Sequence, residues 1–279
     1  MSLYNPRPFP WLKAAVDSVL NQSFENFEFL IYDDGSDEEC RKAIQEIGKQ
    51  DARIHILRGE ENRGIAYGLN QCILRAKGQY LARMDGDDLS LLRRLEVQAA
   101  FLDANPAYDY VGAAAALLEG EELWGIRQMA VVPQKEDFLS FSPYIHPSLM
   151  FRREVFEKYG LYDTSDLCRR CEDYELFMRL HSRGSFGYNL KEILLHYREE
   201  KDSYKKRTFI SRRKEAWLRR QKFPALGLTG LRAECYKYKP YGAAVIPKSI
   251  YWQLKRKINH SSFPDTWQQT KDSGVSCLE

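Results

Sequence analysis

The sequence predicts an α/β fold with a mostly parallel sheet flanked by helices, followed by a helical, basic C-terminal extension. Short apolar runs alternate with helix-periodic segments through the first hundred residues, which is typical of a parallel sheet. Residues 201–260 hold 17 Lys or Arg and 3 Asp or Glu, whereas the rest of the chain holds 25 basic and 36 acidic residues. We therefore divide the 279 residues into 1–108, 109–200 and 201–279.

The composition excludes several classes of protein. The chain is 44% hydrophobic and 29% charged, as expected for a soluble globular protein. Its longest apolar run, YVGAAAALL, is too short to cross a bilayer, and the first residues lack the pattern of a signal peptide. Of the six cysteines, Cys168 and Cys171 form a C-x-x-C with no second pair at zinc spacing, so we expect reduced thiols in a cytosolic protein.

The elements of the first part follow in order. Pro10 suits the first turn of a helix, and apolar residues at helical spacing continue that helix to Leu20. Apolar runs predict strands at 27–32, 53–57 and 80–84, with further helices running to about Gly48, over 65–76 and over 91–102. In such sheets ligands bind beyond the carboxyl ends of the strands, where DDGS (33–36) and DGDD (85–88) lie.

The second part is less regular. Strands are predicted at 109–118 and 123–131 around the turn Glu119-Gly120. A short helix is predicted at 152–160 and a longer one at 172–184, whose apolar residues share one face.

Three carboxylates are crowded into residues 85–88, and the residues themselves leave two interpretations open. Asp88 or Ser90 could cap a helix that begins near Leu91. Alternatively, Asp85 and Asp87 could hold a divalent cation, because Mg²⁺ and Mn²⁺ prefer oxygen ligands and are commonly shared with substrate phosphates.

An ordered set of motifs extends this pattern. They are SLYN (2–5), DDGS (33–36), NRGIAYGLN (62–70), RMDGDD (83–88), HPSLMFRREVFEKYGLYD (146–163) and CEDYELFMRL (171–180). With this set the chain resembles the family 2 glycosyltransferases, inverting enzymes with the GT-A fold, which has a Rossmann-like sheet. The resemblance covers roughly residues 2–200, and its most specific parts are the D-x-D loop and the Glu-Asp pair at a helix start.

The resemblance implies a donor site in the first part of the chain. Tyr4 and Asn5 would line the nucleotide pocket, and Asp34 would accept a hydrogen bond from the base. Asn62 and Gly64 would open a helix that faces the nucleotide. The residues alone also allow Asp34 to be a helix cap and 62–64 to be only a turn.

The resemblance also implies the catalytic groups. Arg83 would lie beside the diphosphate, Asp85 near the ribose or sugar, and Asp87 would bind Mn²⁺ or Mg²⁺. Asp173 would be the general base, with Glu172 as the second choice. The alternative for either carboxylate is a charge that interacts favourably with the helix dipole.

His146 could equally be a buried histidine or a contact to acceptor or phosphate.

Two departures from the family pattern matter. Only three residues precede Tyr4, so we expect a short first strand and a weak wall of the nucleotide pocket. The family often has Tyr-Arg-x-His after the acceptor region, but Tyr197-Arg198 is followed by two glutamates and preceded by His196.

The basic extension interleaves nine aromatic residues with its positive charges in residues 201–260. Segments 211–223 and 247–260 could each form a helix with Trp217 or Trp252 at an apolar edge, a pattern suited to an anionic membrane surface. We therefore expect residues 205–260 to hold the protein at the inner face of the cytoplasmic membrane. The alternatives are a helical extension packed on the acidic body and RNA binding, for which no recognition motif is present.

These features predict an inverting glycosyltransferase that moves a sugar from a nucleotide-diphosphate donor, with UDP the expected nucleotide, to a glycan or lipid-linked acceptor in surface-polysaccharide assembly. One alternative is a sugar nucleotidyltransferase, but YNPRPFPW lacks the glycine-rich basic loop that a triphosphate needs. Another is a catalytically impaired relative that binds glycans or protein partners.

Overall fold

The computed structural model describes residues 1–201, 208–245 and 248–260. The strands are β1 Ser2–Leu3, β2 Phe29–Asp34, β3 Ile54–Gly59, β4 Tyr80–Ala82, β5 Leu89–Ser90, β6 Tyr110–Glu119, β7 Glu122–Arg127, β8 Met150–Arg152 and β9 Gly187–Arg198. The helices are α1 Phe9–Leu20, α2 Glu38–Gly48, α3 Ile65–Arg75, α4 Arg94–Ala104, α5 Glu154–Tyr159, α6 Glu172–Ser182, α7 Phe209–Lys222, α8 Gly230–Val245 and α9 Lys248–His260.

The first sheet is parallel, in the order β1-β2-β3. Its strands and connecting helices are those that the sequence predicts, with ends shifted by a few residues. β1 has only two residues, as expected from the short segment before Tyr4.

The second sheet is mixed, in the order β4-β8-β6-β9-β5. Strand β7 pairs with the later residues of β6, from Ala115 to Glu119. β6 and β9 are parallel, but β8 lies antiparallel between β4 and β6. The α/β class is confirmed. Two of the antiparallel pairs arise because the short strand β8, which periodicity does not reveal, inserts between β4 and β6. Residues 89–90 form β5, so α4 begins at Arg94 and not near Leu91.

The largest apolar core surrounds α6. Phe177 of that helix stacks on Tyr110 of β6 and on Phe151 of β8, and all three side chains are at most 2% exposed. This packing fixes the first turn of α6, which carries the Glu172-Asp173 pair, against the second sheet.

The extension packs on the body of the protein. α7 contacts α6 and α8, and its buried Arg219 donates hydrogen bonds to the carbonyls of Leu139 and Ser140. Trp217 packs against the main core, and Trp252 is 5% exposed with its ring against Trp124. Trp252 is therefore buried against the body, and Trp217 is partly buried against the main core.

In the described part of the chain, no helix combines the length and the hydrophobicity needed to cross a membrane. Cys40, Cys72, Cys168, Cys171 and Cys235 are free thiols, and the sixth cysteine lies outside the described residues. The thiol of Cys168 donates to Asp163, which fixes the loop before α6.

Candidate active site

The carboxyl end of β2 and the start of α3 form the first wall of the site. Both oxygens of the buried Asp34 carboxylate accept backbone N–H groups, from Arg63 at 3.0 Å and from Gly64 at 2.7 Å. Burial raises the pKa of Asp34, and the two N–H donors oppose that rise. Asp34 is not a helix cap, since Asp37 caps α2. It holds the exposed Asn62 turn at the entrance to α3.

The residues after β1 lie at the same edge of the sheet. Tyr4 is 52% exposed, and Asn5 has a left-handed backbone with φ 46°. The Asn5 side chain accepts the N–H of Asp37 at 2.9 Å, so Asn5 joins β1 to the β2–α2 turn. Gly35 in that turn has φ 72° and no room for a Cβ beside the backbone of Glu61, which explains the glycine of DDGS.

Arg83 lies at the end of β4, where it is 8% exposed and forms an ion pair with Asp85 at 2.5 Å. Its Nε has no hydrogen-bond partner among the described residues. A buried guanidinium with a spare donor beside a ligand-binding rim is suited to a phosphate oxygen.

Asp85, Asp87 and Asp88 bring carboxylate oxygens within 4.8 Å of one another. Asp88 is fully buried, and one of its oxygens accepts the N–H of Arg198 at 2.7 Å. Burial and the two neighbouring carboxylates raise the pKa of Asp88 well above its ordinary value. Neither Asp88 nor Ser90 caps α4, whose N-cap is Arg93, so the capping interpretation is wrong.

The donor set of this cluster fits a divalent cation. The second oxygen of Asp88 is buried without a hydrogen-bond partner, and the cluster is purely carboxylate, the chemistry that Mg²⁺ and Mn²⁺ favour. A cation would also offset the repulsion among the three charges. Arg198 fixes the loop from behind, since its Nε donates to the Asp87 carbonyl at 2.9 Å and its guanidinium lies 4.0 Å from the Trp11 ring centroid.

Glu172 and Asp173 begin α6, with Cys171 at the N-cap position. Burial and the Asp173 charge raise the pKa of Glu172 to about 7. One Glu172 oxygen is buried without a hydrogen-bond partner. The first turn of α6 thus presents two carboxylates, and Glu172 gains a proton near neutral pH.

Tyr162 connects the two walls. Burial raises the pKa of its phenol, Arg83 opposes the rise, and the charges of Asp173, Glu172 and Asp85 add to it. Its hydroxyl is 2.7 Å from Nε2 of His146. Burial and Arg83 lower the pKa of His146 well below its ordinary value, so this histidine is neutral and supports Tyr162.

Arg169 was not predicted from the sequence. It lies on the exposed loop before α6, and its guanidinium is 3.9 Å from the point where a Cβ on Gly64 would stand. It also lowers the pKa of Asp34, which places its charge beside that carboxylate. The loop is anchored by Cys168 and by a 2.7 Å ion pair between Asp166 and Lys214 of α7.

The structure thus places Asp34, Asn62 and Gly64 on one wall and Arg83, Asp85 and Asp87 at the adjacent strand end. Sequence reasoning did not assign Asp88, Tyr162, Arg169 or Arg198 to the site. Asp88 belongs to the same D-G-D-D run as the predicted ligands. The sequence alone could not distinguish a metal ligand from a helix cap at Asp88, because that distinction depends on its tertiary hydrogen bond with Arg198.

A known protein family matches the first part of the chain. The family described as Glycosyl transferase family 2 matches residues 1–160. The chain belongs to glycosyltransferase family 2.

Curated relatives of this chain carry the name glycosyltransferase. The chain is 34% identical over 251 residues to a glycosyltransferase of Bacillus subtilis named EpsE, covering 89% of this chain and 90% of the relative. It is 30% identical over 205 residues to the O-antigen biosynthesis glycosyltransferase WbnJ of Escherichia coli, covering 70% and 77% of the two chains.

Solved glycosyltransferase structures share the fold. Staphylococcus aureus TarS 1–349 in complex with UDP-GlcNAc matches with TM-score 0.64 at 16% identity, over 88% of this chain and 70% of TarS. The mannosyltransferase PcManGT of Pyrobaculum calidifontis, in complex with GDP-Man and Mn²⁺, matches with TM-score 0.61 at 16% identity, over 92% and 78% of the two chains. The chain thus has the GT-A fold.

Proposed function

We propose that this glycosyltransferase moves a sugar, with inversion at the anomeric carbon, from a UDP-linked donor to a glycan or lipid-linked acceptor. The nucleotide occupies the rim formed by Tyr4, Asn5, Asp34 and the 62–64 turn. TarS with UDP-GlcNAc supports a uridine donor, whereas PcManGT with GDP-Man shows that the fold also occurs with another base.

The diphosphate is placed between Arg83 and the carboxylate cluster. Asp87 and Asp88 would hold Mn²⁺ or Mg²⁺, with Asp85 shared between the cation and Arg83. A bound divalent cation supplies electrostatic stabilisation of the charge that develops on the leaving group. The Nε of Arg83 contributes a donor to the same charge.

Asp173 is the general base. It accepts the proton of the acceptor hydroxyl as that oxygen attacks C1 of the sugar, while the bond from C1 to the phosphate oxygen breaks and the nucleoside diphosphate leaves. One displacement inverts the anomeric centre without a covalent enzyme intermediate. Glu172, with a pKa raised to about 7, is protonated in a large fraction of molecules at neutral pH and suits hydrogen-bond donation better than proton abstraction.

The observation that carries this proposal is the cluster of Asp85, Asp87 and Asp88, whose carboxylate oxygens lie within 4.8 Å of one another, next to the buried Arg83. We test it with Asp173→Asn, measuring release of UDP from UDP-sugars with a mixed glycan acceptor pool, and UDP affinity by calorimetry. Turnover falls by about 100-fold or more while UDP affinity stays within about twofold. An equal loss of affinity and turnover would refute the base assignment.

The acceptor is placed at a membrane surface, with the enzyme peripheral on the cytoplasmic face. On α9, Ile250, Leu254 and Ile258 recur every four residues and are 49%, 52% and 69% exposed. Arg256 and Lys257 are exposed on the same helix. An exposed apolar stripe bordered by cations suits the interface of an anionic bilayer.

A further inference from the structure

Arg198, the last residue of β9, holds the D-G-D-D loop (85–88) at two points. Its backbone N–H donates to the Asp88 carboxylate at 2.7 Å, and its side-chain Nε donates to the Asp87 carbonyl at 2.9 Å. The side chain is 5% exposed, and its guanidinium also donates to the Gly120 carbonyl in the turn between β6 and β7. The position of Arg198 therefore sets the position of the loop backbone and of the Asp88 carboxylate.

The next residue, Glu199, is tied to the C-terminal helix α9. Glu199 is 6% exposed, and its backbone N–H donates to the Leu118 carbonyl at 2.9 Å. Its carboxylate accepts from Arg127 of β7 at 2.6 Å and from Lys255 of α9. Because a buried carboxylate is destabilised when a paired cation is removed, Lys255 matters for the chain beside Arg198.

Helix α9 docks on β7 by one face. The Trp252 ring centroid lies 5.2 Å from that of Trp124. Asn259 lies against Gly125, where an added Cβ would stand 3.1 Å from the Asn259 Cβ. These two residues and Lys255 follow at i, i+3 and i+7, so they share one side of the helix. Since α9 is anchored on both sides of Lys255, the ammonium is held at a fixed position.

We propose that α9 is a positioning element of the metal-binding loop. Its Lys255 holds Glu199 in place, and Glu199 thereby keeps Arg198 in contact with the loop. This inference rests on the proposed function, since it requires that the loop binds Mn²⁺ or Mg²⁺. Residues that support metal ligands change metal affinity by about 10–100-fold when they are altered, and Lys255 acts one residue further away. The expected effect of losing Lys255 is therefore smaller, about fivefold.

The sign of the effect separates positioning from charge. Removing Lys255 takes a positive charge away from the neighbourhood of an acidic cluster, so Coulomb attraction alone would strengthen the binding of a cation. Loss of positioning would instead weaken that binding, because the carboxylates would no longer be held together. Weaker Mn²⁺ binding after the loss of a lysine therefore indicates positioning.

The experiment measures the Kd for Mn²⁺ in the presence of saturating UDP, from the electron paramagnetic resonance signal of free Mn²⁺, and Tm without metal. The full chain is compared with Lys255→Met and with Trp252→Leu, which loosens the docked face without changing charge. Lys255→Arg keeps the ion pair. The matched control is Lys257→Met, which removes an exposed lysine from the same helix.

Lys255→Met and Trp252→Leu are expected to raise the Kd for Mn²⁺ about fivefold, and Lys255→Arg and Lys257→Met to stay within about twofold of the wild type. An unchanged or lower Kd in Lys255→Met would overturn the proposal, as would an equal rise in Lys257→Met. If Trp252→Leu is unfolded at the assay temperature, Lys255→Met decides the result.

Failure of the proposed function has a different signature. A wild-type chain that binds no Mn²⁺ with UDP would refute the metal site, and this inference with it. Wild-type binding that Lys255→Met retains in full would refute the positioning role of α9 alone.

Discussion

At the residue scale, the environment of Glu172 at the start of α6 changes how readily its carboxylate binds a proton. Glu172 combines burial, a neighbouring negative charge and one oxygen without a hydrogen-bond partner, and its pKa is raised to about 7. Asp173 follows on the next position of the same turn. Burial and a neighbouring charge thus keep Glu172 protonated to a higher pH than an ordinary glutamate.

This difference predicts a pH-dependent stability. Between its ordinary pKa of 4.5 and about 7, Glu172 keeps in the folded state a proton that the unfolded chain releases. Stability therefore falls as pH rises through that window, and Glu172→Gln should remove this part of the slope. We expect the Tm difference between about pH 5 and about pH 8 to be smaller in the variant than in the wild type.

The matched control is Glu157→Gln on α5, whose side chain is 66% exposed. It should retain the wild-type slope. A Glu172→Gln protein with the wild-type slope would contradict the burial argument.

At the element scale, the loop from Asp163 to Cys171 links the extension to the donor wall. It is held by Cys168 within the loop and by Lys214 of α7, and it carries Arg169 toward Gly64. An arginine in that position can contact the nucleotide across the mouth of the site. The extension thus has a structural reason to pack on the catalytic body.

We expect Arg169→Ala to raise the KM for the donor about tenfold, because one charge-assisted hydrogen bond to the donor is lost. We expect kcat to change less than about threefold. Lys214→Met should raise the same KM by a smaller factor because it only loosens the loop. Steady-state kinetics with varied donor would show this. Arg213→Ala on α7 is the control with an exposed arginine, and a donor KM that moves as much in this control as in Arg169→Ala would count against a direct contact.

Much of this architecture could be predicted from the sequence, and the failures have physical causes. Strands β2 and β3 coincide with short apolar runs and helix α6 with a helical apolar period, and the lengths of all three were predicted closely. The three-residue strand β8 has too few residues for a periodic signal, so the mixed pairing of the second sheet was missed. Likewise, the role of Asp88 depends on its hydrogen bond with Arg198, a residue 110 positions later in the sequence, which no local pattern could reveal.

At the scale of the whole molecule, some of the basic residues in the C-terminal extension face the acidic body of the protein. Lys255 of α9 pairs with the buried Glu199, and Lys222 of α7 pairs with the buried Glu175. Part of the basic extension therefore neutralises carboxylates of the body. The membrane proposal rests on the exposed apolar stripe of Ile250, Leu254 and Ile258 on α9.

The membrane proposal predicts binding of the full chain to vesicles that contain phosphatidylglycerol and not to vesicles of phosphatidylcholine alone. Ile250→Glu with Leu254→Glu should abolish sedimentation with the anionic vesicles, since both changes place charge on the apolar stripe. The control is Leu74→Glu on α3, a leucine that is 64% exposed. Unchanged sedimentation of the double variant would remove the membrane proposal.

The central claim, a metal-dependent nucleotide site at the D-G-D-D loop, is tested most directly by thermal stability against UDP, GDP, dTDP and CDP, each with Mn²⁺, Mg²⁺ or EDTA. We predict that UDP raises Tm only when Mn²⁺ or Mg²⁺ is present and that Asp87→Asn loses this shift. A shift with UDP that is equally large in EDTA, or that survives in Asp87→Asn, would contradict the account.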